Sequence, residues 1–187
     1  MELINLRRTT TGNRSRMITD LCGGTFTPKE AYKIGGIGIG GLRYESGLEG
    51  LSHLPENAII RANTEVFRNG LGIYLRHDKE NFLLLIPTQR IVNILLHKPL
   101  DIVKDTGKFS WFRSLIDRGM SYNYAKMLLL EDEITEVHSP QLKIVSDRLD
   151  EINFVIKKRN PLKVHEFFQK SPFSEKYTLD YQEYKMQ

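Results

Sequence analysis

The chain has one cysteine, Cys22, in 187 residues, so no internal disulfide staples it and its stability must come from packing. The thiol stands beside Gly23 and Gly24, with no histidine or second cysteine at metal-ligand spacing, and a reducing, cytoplasmic setting is expected. Long apolar runs are also missing. Phe82 to Ile86 and Ile91 to Leu96 are the most apolar, and both fall far short of the roughly 18 residues that cross a bilayer as a helix. The start, with Leu6 running into Arg7 and Arg8, lacks the basic opening, apolar run and small-residue site of a signal peptide, so secretion is not expected. A strong charge of one sign is lacking too. The 27 basic residues are nearly matched by 23 acidic ones, which leaves +4 and only a mild attraction to polyanions.

Catalytic constellations are equally scarce. His53, His77, His97, His138 and His165 are scattered without the i, i+4 pairing of metal sites, and Ser110, Ser114 and Ser121 lack the flanking glycines of a nucleophile elbow. The acidic run Glu131 to Glu133 reads as the solvated stop of a helix, because carboxylates there oppose the macrodipole. Gly36, Gly38 and Gly41 match the spacing of a dinucleotide fingerprint but lack the buried strand before and the long helix after, so a glycine-weakened strand is expected instead. No catalytic residue, metal or cofactor is predicted.

What the chain does have is 40% hydrophobic residues against 27% charged, a balance that suits a globular domain rather than a disordered one. Its plainest signal is Glu65 to His97. Leu71, Ile73 and Leu75 alternate with Gly72, Tyr74 and Arg76, which predicts a strand with one buried face. Asn69 and Gly70 predict the turn before it, as residues that accept positive φ, and the five polar residues His77 to Asn81 predict a longer loop after it. Phe82 to Ile86 follows as a strand, Pro87 breaks the ladder, and Arg90 to Leu96 continues as another, giving an antiparallel meander. Ahead of it, Leu48, Leu51 and Leu54 mark a short helical turn, and Ala58 to Phe67 an extended run.

Residues 98–140 change texture. Thr106 and Gly119 bracket one helix with Phe109, Phe112, Leu115 and Ile116 on a face, and Ser121 caps a second that runs to about Leu130. After Pro140 a second hairpin is expected from Leu142 and Ile144, then Ile152, Phe154 and Ile156. Asn160 and Pro161 then open an amphipathic helix with Val164, Phe167 and Phe168 in its stripe. Residues 1–30, with four arginines in Arg7 to Arg16, are expected to form a polar arm, 31–170 a single β-rich domain, and 171–187 a tail.

The strand pattern around Asn69 and Gly70, then GIYLRH, then FLLLIPTQRIVNI, resembles the first sheet of bacterial pleckstrin-homology-like and GRAM-type domains. The resemblance covers mainly residues 58–97 and 141–170. It implies an α+β fold, an antiparallel sandwich or partly open barrel with a C-terminal helix plugging one open end, and the helical segment at about 98–140 is an insertion that the family's minimal pattern lacks. It also permits phosphate-bearing lipid head groups as ligands. From the residues themselves, Lys157, Lys158, Arg159 and Lys163 form the densest basic cluster, to which Arg68 and Arg76 add charge if the sheets bring them near. These six are the candidate binding residues. The function expected first is a non-catalytic module that binds a protein segment at a sheet edge or an anionic ligand. An enzyme site assembled between sheet and insertion, and nucleic-acid binding through the arginine-rich arm, are the alternatives.

Overall fold

Along each stretch where apolar and polar residues alternate, the backbone is extended and paired. The computed structural model describes residues 1–55, 57–103, 111–128, 134–136, 138–148, 150–157, 160–182 and 184–186. The elements run β1 (Glu2–Asn5), α1 (Thr11–Cys22), α2 (Pro28–Lys33), β2 (Gly38–Ser46), β3 (Ile60–Phe67), β4 (Gly70–His77), β5 (Glu80–Pro87), β6 (Ile91–Lys98) and β7 (Asp101–Val103). They continue α3 (Trp111–Asp117), α4 (Tyr122–Ala125), β8 (Ile134–Glu136), β9 (Gln141–Ser146), β10 (Glu151–Ile156), α5 (Pro161–Lys170), β11 (Tyr177–Tyr181) and β12 (Tyr184–Met186). The chain separates into two units, Met1–His97 with Pro140–Leu179, and Lys98–Ser139 with Asp180–Gln187. The fold is α+β, dominated by strands.

The first unit is built on a nine-stranded sheet in the order β1-β5-β4-β3-β2-β10-β9-β6-β11. Because β1 and β11 remain at its edges, the sheet does not close into a barrel. Ile73, Leu84, Ile94, Leu142 and Phe154 are fully buried in one apolar cluster to which α5 adds Val164, Phe167 and Phe168. Each such aliphatic or aromatic side chain contributes roughly 1.5–3 kcal/mol by leaving water. The entry of α5 is the expected one: the Asn160 side-chain oxygen accepts from the Leu162 N–H at 3.0 Å, and Pro161 occupies the first turn.

Residues 1–30 carry β1, which pairs with β5, and α1, whose Ile18 and Cys22 pack with Ile4, Phe67, Leu83 and Leu85 on the sheet face opposite the main cluster. Burial pushes the Cys22 thiol up to about 11, so it stays protonated. Residues 171–187 carry β11 and β12.

Two turns differ from expectation. The β3–β4 turn has Arg68 and Asn69 at its centre, since Phe67 pairs with Gly70, and neither central residue has positive φ. Its N–H groups are used from outside: Asn69 donates to Cys22 O at 2.8 Å and Arg68 to Gly24 O at 3.1 Å. Gly70 is needed for room, because a Cβ there would stand 2.3 Å from the Cys22 sulfur and 2.9 Å from Ile86 O. The next turn is tighter than a five-residue loop. His77 pairs with Glu80, and Asp78 alone takes positive φ, at 47°.

In the second unit β7 lies between β12, in parallel, and β8, antiparallel. Val103, Phe112, Tyr122 and Ala125 form its core, and the Tyr122 and Tyr184 rings stack 4.9 Å apart. The helix expected from Ser121 is shorter, ending at Ala125 with a 3-10 turn over Lys126–Leu128. The expected Thr106 cap, Leu130 and the run Glu131 to Glu133 lie outside the described residues. Asp101, fully buried, accepts from the His138 N–H at 2.7 Å, from Tyr122, and from Lys126 and Lys98, each at 3.0 Å. Burial alone would raise its pKa, but these donors together hold the carboxyl below the usual range.

Two outcomes follow from this packing. Gly70→Ala is expected to cost about 1–3 kcal/mol in urea unfolding, whereas Gly12→Ala, with nothing within 4 Å of its new Cβ, should be neutral or stabilise by up to about 1 kcal/mol. Asp101 has a depressed folded pKa, so its contribution is present above the unfolded value near pH 4 and is lost as pH falls through the lower folded value. Asp101→Asn should therefore lower stability at pH 7 by about 3–5 kcal/mol and flatten the acid limb of the stability–pH curve.

Candidate functional site

In β3 Ile60, Ala62, Thr64 and Val66 are buried, which turns Arg61 and Asn63 outward. Pairing then aligns neighbours on the same face. Arg43 of β2 stands opposite Arg61, Arg61 opposite Arg76 of β4, and Arg76 opposite Asn81 of β5. Three exposed arginines thus form one row across adjacent strands, about 10 Å long at a strand spacing of about 4.8 Å. Like charges facing each other across strands destabilise a sheet by roughly 0.2–1 kcal/mol per pair. Among the described residues, no ion pair includes any of the three.

A groove of about 860 Å³ opens over this row. Among the described residues its cations are Arg7, Arg14, Arg43, Arg61, Arg76 and Lys157, and no aspartate or glutamate lines it. Arg7 follows β1 and Arg14 lies in the first turns of α1, so the arginine-rich segment reaches the sheet row. Gly41 takes φ 84° where the pairing of β2 with β3 shifts register, and its carbonyl accepts from the Lys157 N–H at 3.2 Å. Glu65 lies on the same face of β3 as Arg61 and Asn63 and is half-buried. Burial first, then the hydrogen bond to Glu65 and its charge, push the Tyr74 phenol well above its usual range, so the ring is neutral.

Of the six residues singled out from sequence, the structure brings Arg76 and Lys157 to this groove. Arg68 is committed elsewhere, 3.0 Å from Glu30. Glu30 in turn is held down at about 2 by the Thr27 N–H, the Thr27 hydroxyl and Arg68. Lys163 is exposed on α5 and does not line the groove, and Lys158 and Arg159 lie outside the described residues. Arg43 and Arg61 were missed because neither sits in a basic run. Only strand register unites them. The other concentration of charge, Lys98 with Asp101, is 1% and 0% exposed, which denies a dissolved reactant access to the carboxylate.

If the row is kept at a cost, relieving it should stabilise the protein. Arg61→Thr is expected to raise unfolding free energy by about 0.2–1 kcal/mol at low salt, with the gain shrinking as added salt screens the row; a loss of stability would show that the arginines do not repel. Comparison of the chain with protein-family models, curated proteins and solved structures gives no match.

Proposed function

We propose that the chain is a non-catalytic binding module of pleckstrin-homology-like type that captures an anionic ligand over β2, β3 and β4. The observation that carries this is the row Arg43, Arg61 and Arg76, unpaired and within a groove that no carboxylate lines, among the described residues. A sheet that stacks like charges gains by neutralising them together, so an anion binding here removes repulsion as well as adding attraction. The pleckstrin-homology-like part is supported by strand order. β2 to β5 form one meander, β6, β9 and β10 form another, β10 returns to pair with β2, and α5 follows it. β1 pairs with β5 and β11 with β6, so an added peptide strand would have to join β1 or β11, away from the arginine row.

Calorimetry with inorganic tripolyphosphate and with anionic phospholipid vesicles tests this reading. Binding of at least one at low salt is expected, weakened about tenfold or more at high salt and in Arg76→Ala. No binding of either, or binding that Arg76→Ala leaves intact, rejects it.

A further inference from the structure

The groove offers more than charge, and its other walls narrow the ligand. Resting on the anion-binding reading, we propose that the ligand is a nucleoside polyphosphate, in which two or more phosphoryl groups are joined to an uncharged, partly apolar body. A single phosphate carries at most about two charges, too few for the three arginines of the row with Arg7 and Arg14 beside it, and too small for a row about 10 Å long. Several phosphoryl groups in a line match it. The groove's volume, about 860 Å³, falls within the range of small-molecule sites, roughly 300–1,000 Å³, and leaves space beyond the phosphates.

That space is lined by groups of no use to a bare oligophosphate. Tyr74 stands two residues from Arg76 on the same face and lines the groove, with its half-buried ring packed beside the Leu83 and Leu85 cluster. Ile59, 61% exposed, stands at the rim two residues from Arg61. Asn63 lies opposite Tyr74, and Asn81 opposite Arg76. A phosphate accepts hydrogen bonds only, whereas a carboxamide both donates and accepts, as a base edge or ribose hydroxyl requires. Neither amide side chain is hydrogen-bonded among the described residues. Gly40 leaves room for one of them: a Cβ there would stand 2.5 Å from Asn63 Oδ1. The phosphates in this arrangement rest on side chains across a sheet, not on the glycine spacing of Gly36, Gly38 and Gly41.

Calorimetry on the full chain with ATP, GTP, tripolyphosphate and adenosine separates the possibilities. At least one nucleotide is expected to bind about tenfold more tightly than tripolyphosphate, with adenosine weakest. Arg61→Ala should weaken both phosphate ligands about tenfold, with Arg61→Lys intermediate. Tyr74→Leu and, on the exposed surface, Asn63→Ala should each close the gap between nucleotide and tripolyphosphate, while Tyr74→Phe keeps it. Thermal melts of each variant identify any that fail to fold, and Asn63→Ala keeps the test decisive if Tyr74→Leu does. Tripolyphosphate binding as tightly as both nucleotides overturns the nucleoside assignment and leaves anion binding standing. A 12-residue single-stranded oligonucleotide that outcompetes ATP and GTP overturns it in favour of a nucleic-acid strand. Binding by none of these ligands or by the anionic vesicles removes both proposals.

Discussion

The end of α1 interlocks with the β3–β4 turn, and both halves of the groove depend on that contact. Cys22 O and Gly24 O accept the N–H groups of Asn69 and Arg68, Gly23 turns the chain at φ 69°, and the Cys22 sulfur lies against Gly70. One consequence is register. With Arg68 and Asn69 held at the centre of the turn, Phe67 must meet Gly70, and counting back along both strands brings Arg61 to Arg76. The other consequence is direction. A helix anchored at its C-terminus by the turn and along its length by Ile18 against Leu83 and Leu85 carries Arg14 to the groove at its far end. The contact is small in area, yet loosening it would allow the register to slip and the helix to swing.

The same contact explains how much of the protein was legible in its sequence. The elements of the two hairpins, the Asn160–Pro161 entry to α5 and the apolar stripe Val164, Phe167 and Phe168 follow from local rules, and local rules operate within a few residues. The turn did not. Asn69 and Gly70 carry a strong positive-φ signature, but the N–H groups of Arg68 and Asn69 are satisfied by the end of α1 and the residues after it, more than forty residues away in sequence, and Gly70 is required by packing, not by dihedral angle. Placing the turn one residue later would put Arg61 opposite Asp78 and hide the row. The five-residue loop expected at His77 to Asn81 has a similar effect, because an odd loop would pair Arg76 with Phe82 and set a charge against the core.

Composition misled in a related way. Arg7 to Arg16 looks like an arm because four arginines and few apolar residues stand together. The residues that fix it, Ile4, Ile18 and Cys22, lie on either side of that window. Local density of charge likewise directed attention to Lys157 to Lys163. A sheet, however, gathers residues from distant positions at intervals of one strand, so its charged sites arise from one arginine per strand and leave no local excess. A net charge of +4 is compatible with a six-cation groove for this reason.

The placement of the row also bears on why it is tolerated. Arg43, Arg61 and Arg76 alternate with Leu42, Ala62 and Leu75, which are 3%, 1% and 1% exposed in the main cluster. Burying those inward neighbours contributes several kcal/mol, above the roughly 0.4–2 kcal/mol that two facing like-charge pairs cost. The repulsion therefore cannot be relieved by unpairing the strands or by a one-residue slip, since either exposes apolar surface. Side chains can still splay, but their Cα positions are held. The sheet keeps the three charges in place, so an anion bound under the proposed function would meet a site whose ordering cost has already been met by folding. The rigidity that makes the row costly is thus also what would make it effective.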